Sequence, residues 1–489
     1  MHNRVLHLPR FVICLPLLLT ACAVTRVAPP APVTAPAAFK EDTPWQRGTG
    51  TATAAVPDDW WTLFGDSQLN ALEARLVVGN ENLKSLAAQL ASARAAVEAS
   101  RSALFPTLSV SAGATRDGNP AQGNTSGNTV NNMTLGANAA WEVDLWGRLS
   151  QASEGAQASA QASFDDLAAA RLSAQSTLAQ TYFSLRTSDA QLELLTRSVA
   201  AYQRSLDLTQ ARYDGGVAAR SDVLQAQTQL KSAQAQLADM SAQRATLEHA
   251  IAVLLGIPPS ALEVKSTLAG VAGLPAVPPV PALLPSTLLE RRPDIAAAQR
   301  RVAAAYAQIG VADASYFPAL SLSASAGYRN TSLANLVSAP NFLWSLGSSL
   351  TQAIFDGGQR KLASAQARAA ADQATSTYRQ SVLTALQEVE DNLVLARRLQ
   401  EEVAYQADAV AAAQRNLAIT NDQYAGGTVS YLNVVTAQTA AYTSESSLLS
   451  VQNRQLAATA ILLKNIAGRW QPDAPVPAAA PVPLPAPRS

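Results

Sequence analysis

The sequence predicts a mainly α-helical chain of two tandem repeats that also carries four short strands suited to a membrane β-barrel. Three observations predict it. One motif is written twice, as Tyr213-Asp-Gly-Gly-Val-Ala-Ala-Arg-Ser-Asp222 and Tyr424-Ala-Gly-Gly-Thr-Val-Ser-Tyr-Leu-Asn433, with the copies 211 residues apart. Other landmarks repeat at 211 or 212: Phe105-Pro106 with Phe317-Pro318, Asp144 and Arg148 with Asp356 and Arg360, Asn82-Leu83 with Asp294-Ile295. A period of that size makes the chain one body of two similar halves rather than two or three unrelated domains. The second observation is a sustained seven-residue seam, through Leu178, Leu185, Leu192, Val199, Leu206 and Tyr213, and again from Val382 to Tyr424. Such a seam predicts long helices supercoiled against neighbours. The third is a change of period to two after Phe105-Pro106, where Leu108, Val110, Ala112 and Ala114 alternate with Ser109, Ser111, Gly113 and Thr115.

The elements follow in order. Arg4 and Arg10 precede an apolar run from Phe11 to Leu19 and then Leu19-Thr20-Ala21-Cys22. Residues 1–21 read as a signal peptide, and the tetrapeptide resembles a bacterial lipobox, which implies cleavage before Cys22 and a covalent lipid on it. Acyl chains anchor strongly because each buried methylene contributes about 0.8 kcal/mol. Ala23 after the cysteine implies sorting to the outer membrane. Cys14 leaves with the signal, so the mature chain has no disulfide. Residues 22–57 form the anchored linker, Pro/Ala-rich and extended between 28 and 38.

Order begins at Asp58-Asp59-Trp60-Trp61, and Asp66 or Ser67 caps a first helix running to about Leu104. A strand from Thr107, a polar loop from Asp117 to Asn132 and a return strand through Leu135, Trp141 and Val143 come next. The long helix after Trp146-Gly147-Arg148 spans residues 150–213, roughly 95 Å at 1.5 Å per residue. At each tip the Gly-Gly pairs, Gly215-Gly216 and Gly426-Gly427, supply the positive φ of a tight reversal. The return helix, Ser221 to Leu255, covers only part of the long one, and the first helix has the complementary length. The first repeat is thus 58–256. The connection is 257–286 and the second repeat 287–468, with helix 294–316, strands 319–329 and 342–355, helix 358–424 and helix 431–467. Residues 469–489 read as a Pro/Ala-rich disordered tail.

Four strands cannot close a barrel, and an open edge in hydrocarbon leaves backbone groups unpaired at several kcal/mol each. The chain must oligomerise; two copies give eight strands and three give twelve. Phe105, Trp141, Trp146, Phe317 and Phe355 fall at helix–strand junctions, an aromatic girdle at one level of the bilayer.

The lipobox, Asp58-Asp59-Trp60-Trp61, Phe105-Pro106 before a strand, Trp141-Glu-Val-Asp-Leu-Trp-Gly-Arg148 after one, and the paired tips together resemble the TolC-type outer membrane efflux factors. The likeness covers nearly all of the mature chain and is nearest the lipidated NodT-type branch. It implies a homotrimer with a twelve-strand outer-membrane barrel continued by a periplasmic α-helical barrel, and thereby selects twelve strands over eight. It implies partners too: a periplasmic adaptor and an inner-membrane RND-type pump. By motif, Gly215, Gly216, Val217, Gly426, Gly427 and Thr428 match the adaptor-contacting tip. Asp222 matches the carboxylate of the periplasmic gate and Tyr424 the tyrosine that hydrogen-bonds it, with Tyr213 and Ser221 beside them. Val429 and Asn433 depart, standing where the archetype has an arginine and a second acidic ring. Three Asp222 carboxylates near an axis would favour cations, and Asp222 would also cap the return helix after Ser221.

Zero net charge gives no support to nucleic-acid binding, which asks for a basic face. His249 is the one histidine of the mature chain, so a histidine-based metal site cannot be assembled from one chain, and no phosphate-binding glycine loop is present. No enzyme and no cofactor beyond the lipid on Cys22 are expected. The reading is a passive exit duct for small molecules in a three-part efflux system. A type I protein-secretion channel is the alternative within the class, and a structural trimeric coiled-coil lipoprotein the alternative outside it, which would have no use for the strands.

Overall fold

The computed structural model describes residues 27–31, 33–34, 36, 39–40, 58–119, 128–266, 274–279 and 292–466. Cys22 and the signal segment, the loop 120–127, most of the connection between the repeats and the tail 469–489 lie outside the described residues.

The chain runs α1 (Ser67–Gly79), α2 (Glu81–Ser102), β1 (Thr107–Asn119), β2 (Asn128–Val143), α3 (Arg148–Asp214), α4 (Arg220–Leu254), α5 (Pro293–Ala314), β3 (Ala319–Asn330), β4 (Phe342–Thr351), α6 (Gln359–Ala425) and α7 (Tyr431–Ile466). The duplication is literal, because α3 and α6 each have 67 residues. At 1.5 Å per residue each is about 100 Å long. Along this length α2 and α4 pack on α3 in succession, and α5 and α7 line α6 in the same way.

The first helix is not continuous, as the sequence had suggested, but breaks at Asn80. Gly79 lies so close to the carbonyl of Leu255 that a Cβ there would stand 2.2 Å from its oxygen. Asn80 turns the break into a joint, since its Oδ1 accepts from the Leu83 amide at 3.0 Å while its Nδ2 donates to Leu254 O at 2.7 Å. The two short helices of the first repeat therefore meet end to end beside α3. Close approach recurs between α3 and α5, where a Cβ on Gly310 would overlap the Gln151 amide.

The strands form one antiparallel sheet in the order β1-β2-β3-β4. Its register sorts the faces. Leu108, Ala139, Ala324 and Leu346 make one row and Val110, Ala137, Ala326 and Trp344 the next. The opposite face carries Ser109, Asn138, Ser325 and Ser345, with the two serine hydroxyls of the last pair 2.8 Å apart. One face thus suits hydrocarbon and the other water. The aromatics at the junction are partly pinned: Trp146 stacks on Phe317 with centroids 4.9 Å apart and donates to Pro318 O at 2.7 Å, while Trp141 donates to Leu104 O at 2.9 Å. Phe105 and Phe355 are exposed. None of the described helices is long and apolar enough to cross a membrane.

Three of the described residues of the N-terminal linker are docked on the helices. Val27 packs with Ile309 and Ala367, Val33 with Val302 and Val382, and Phe39 is buried with Val389 and Leu393. The three anchors are six residues apart, and twelve residues of extended Pro-rich chain reach about 37 Å. That matches roughly 33 Å of helix between Ala367 and Val389. Lys40 N–H closes the strap on Glu390 Oε1 at 2.7 Å. Removing Phe39 forfeits about 2 kcal/mol of burial. Phe39→Ala should therefore speed trypsin cleavage after Lys40 about tenfold or more, since cleavage follows the open population; an unchanged rate would show that the strap is held elsewhere.

Candidate functional site: the paired hairpin tips

The two tips lie at the ends of α3 and α6 farthest from the sheet, where the long helices turn back into α4 and α7. In each, the second glycine of the pair carries the left-handed backbone, Gly216 at φ 74° and Gly427 at φ 77°. Gly215 and Gly426 stay right-handed at −78° and −75°. The pairs thus supply one positive φ each, because a Schellman-type end needs only one reversed residue. The bonds agree: Gly216 N donates to Tyr213 O and Val217 N to Arg212 O, and in the copy Gly427 N donates to Tyr424 O and Thr428 N to Gln423 O. Val217 and Thr428 project into solvent.

Asp222 does not cap α4. That helix starts at Arg220 with Ala219 as its cap residue, and Asp222 sits in the first turn, where its charge favours the helix dipole. Ser221 is exposed at the same end.

The gate tyrosines are placed unequally. Tyr424 is only 6% exposed, whereas its counterpart Tyr213 is 38% exposed. Within the chain the Tyr424 hydroxyl pairs with Thr209 Oγ1 at 3.2 Å rather than with Asp222, because Thr209 lies on the adjoining face of α3. The Arg212 guanidinium lies over the Tyr424 ring, 4.7 Å from its centroid, and donates to the Tyr424 carbonyl. Tyr424 also meets Tyr431 edge to face at 5.5 Å, and Val429 packs in the same cluster. Burial, and then the neighbouring Tyr424, Tyr202 and Asp222, push the Tyr431 hydroxyl up to about 12. Asn433 is exposed and its backbone N–H donates to the Ser430 carbonyl. Above the tips a groove of about 350 Å³ separates the two hairpins, with Arg197, Arg204, Gln438 and Glu445 among its lining.

Arg212 and Thr209 were not singled out from the sequence. The signal was there, because Gln423 stands 211 residues after Arg212, and a place where two copies of a motif differ in charge is a place to look. His249 is exposed on α4, and no group of three or more His, Cys, Asp or Glu among the described residues could hold a metal.

A sheet with one apolar face and two unpaired edges, continued by helices of about 100 Å that end in paired tips, defines the protomer of an outer-membrane channel with a long periplasmic tube. The chain belongs to the outer membrane efflux protein family, whose model matches residues 74–257 and 284–468. It is 29% identical over 449 residues, 91% of each chain, to the antibiotic efflux pump outer membrane protein ArpC of Pseudomonas putida. It is 30% identical over 423 residues, 85% of this chain and 86% of the relative, to the probable efflux pump outer membrane protein TtgC of the same species. Among solved structures, the outer-membrane channel OprN superposes with a TM-score of 0.83 at 29% identity, covering 91% of this chain and 99% of that one. The protein is thus an outer-membrane efflux duct, of a family of channels and not of enzymes.

Proposed function

We propose that three copies of this chain close into a twelve-strand barrel and a twelve-helix tube, forming the passive exit duct of a tripartite system that exports small molecules such as drugs and antibiotics. The observation that carries the reading is the bare-edged sheet. β1 and β4 have neighbours on one side only, and their apolar rows Leu108, Val110 and Trp344, Leu346 face outward. Pairing β4 of one chain with β1 of the next satisfies both edges, which hydrocarbon requires. The relative named for antibiotic efflux supports the cargo class.

Cys22 is the lipid anchor in this reading. The strap supports it, since Val27 lies five residues downstream and docks at the end of α6 nearer the sheet. Gly215, Gly216, Val217, Gly426, Gly427 and Thr428 meet a periplasmic adaptor that links the duct to an RND-type inner-membrane pump. Asp222, Tyr424, Tyr213 and Ser221 line the gate between them. The experiment is the mass of the detergent-extracted protein beside a Cys22→Ala variant. The expected result is a trimer, carrying lipid only where Cys22 is present; a lipid-free monomer that stays soluble without detergent would overturn the proposal.

A further inference from the structure

The two hairpins of one chain are held together at the tip by a clasp on Tyr424. Its parts are the Thr209–Tyr424 hydrogen bond, the Arg212 guanidinium stacked on the Tyr424 ring, and the Arg212 donation to the Tyr424 carbonyl. The fit is close, because a Cβ on Gly427 would stand 3.3 Å from the Arg212 Nη2. The cation over the ring and the hydrogen bond donated by a charged group both strengthen this contact.

The duplication dictates what the neighbouring contact must be. In a ring of alternating repeats, α3 meets α6 within a chain and α6 meets α3 of the next chain. The residues 211 positions on from Thr209 and Arg212 are Thr420 and Gln423, and the residue 211 before Tyr424 is Tyr213. The contact between chains therefore sets Gln423 against the exposed Tyr213. Glutamine has no charge to place over the ring, so this contact lacks the component that makes the first one strong.

We propose that Arg212 clasps the two tips of each chain into one unit, and that the closed entrance yields at the Tyr213/Gln423 contacts between chains. The proposal rests on the gate reading given above and adds to it where the entrance parts. It also assigns Arg212 the holding role that Val429 cannot fill.

The test is single-channel conductance of the full-length protein in planar bilayers, with the oligomer checked on a gel so that folding defects are visible. Arg212→Gln makes both contacts alike and should raise conductance several-fold, with Arg212→Lys recovering part of the closure. Gln423→Arg adds the missing clasp between chains and should lower conductance below that of the natural protein. Failure of either variant to move conductance in its stated direction overturns the proposal. Asp222→Ala, which leaves every part of the clasp in place, separates the two levels. If it opens the channel while Arg212→Gln and Gln423→Arg do nothing, only the clasp falls; if all three leave conductance unchanged, the gate reading falls with it.

Discussion

Replacing Glu73 with glutamine should stabilise the folded protein at pH 7 and above while leaving it unchanged near pH 4. Glu73 occupies the middle of the apolar stripe of α1, between Leu69, Leu72 and Leu76, a position that helical periodicity reserves for a hydrophobe. It is fully buried, and neither carboxylate oxygen has a hydrogen-bond partner among the described residues. Desolvation pushes its pKa from 4.5 to about 9, with the Arg171 charge opposing only in part. The folded state therefore keeps a proton that the unfolded chain releases above pH 4.5. A folded pKa raised above the unfolded one means stability that is fully present below pH 4.5 and is lost as the pH climbs toward 9. By pH 7 the loss is roughly 3 kcal/mol, from 1.36 kcal/mol per unit over the interval. Glutamine matches the protonated acid in shape and cannot ionise, so the variant should lose this dependence. Guanidinium midpoints at pH 4.5, 6, 7.5 and 9 measure it. Curves for the two proteins that run parallel across that range would show that Glu73 is ionised in the folded state and has a partner.

Glu73 also illustrates which parts of this molecule could be read from its sequence. What depends on period and repetition was legible: the 211-residue duplication, both tips, the change from helix to strand at Phe105-Pro106, and the apolar and polar faces of β1. What depends on one backbone touching another was not. The break at Asn80 is fixed by Gly79 against the Leu255 carbonyl, 176 residues away, and only a glycine followed by a good cap residue hinted at it. The docking of the N-terminal strap was hidden for a similar reason. Val27, Val33 and Phe39 are ordinary residues in a Pro/Ala-rich stretch until the groove of α5 and α6 is in place to receive them. At the tips, motif matching led to the glycines and tyrosines and to Val217, Thr428, Ser221 and Asp222. Arg212 lies just ahead of the motif, which begins at Tyr213, and so escaped it.

Asp189→Ala should cost about 3–5 kcal/mol, since removing one partner of a buried ion pair strands the other. Asp189 is 1% exposed and holds two guanidiniums at once, accepting from Arg186 at 3.3 Å and from Arg244 at 2.7 Å. Each arginine is committed further. Arg186 donates to the Tyr182 hydroxyl at 2.8 Å and to Lys265 O at 2.9 Å; Arg244 donates to Glu248 at 2.8 Å and to Val264 O at 2.7 Å. Glu248 in turn accepts from the Val264 amide at 2.6 Å, and Tyr182 donates to Asp66, the cap of α1, at 2.7 Å. One carboxylate therefore ties α3 and α4 to the start of the connection between the repeats, and through Tyr182 to the first helix. Without it the buried Arg186 loses its carboxylate partner, and the chain around Val264 is the part free to move away. Amide exchange at Val264 and Lys265 should accelerate before the helices open, and the guanidinium midpoint should fall. Replacing Asp189 and Arg244 together, Asp189→Leu with Arg244→Met, should recover little of the loss, because Arg186 and Glu248 each still lose a charged partner. A cost below about 1 kcal/mol for Asp189→Ala would mean that water reaches the arginines, as it does at a surface pair.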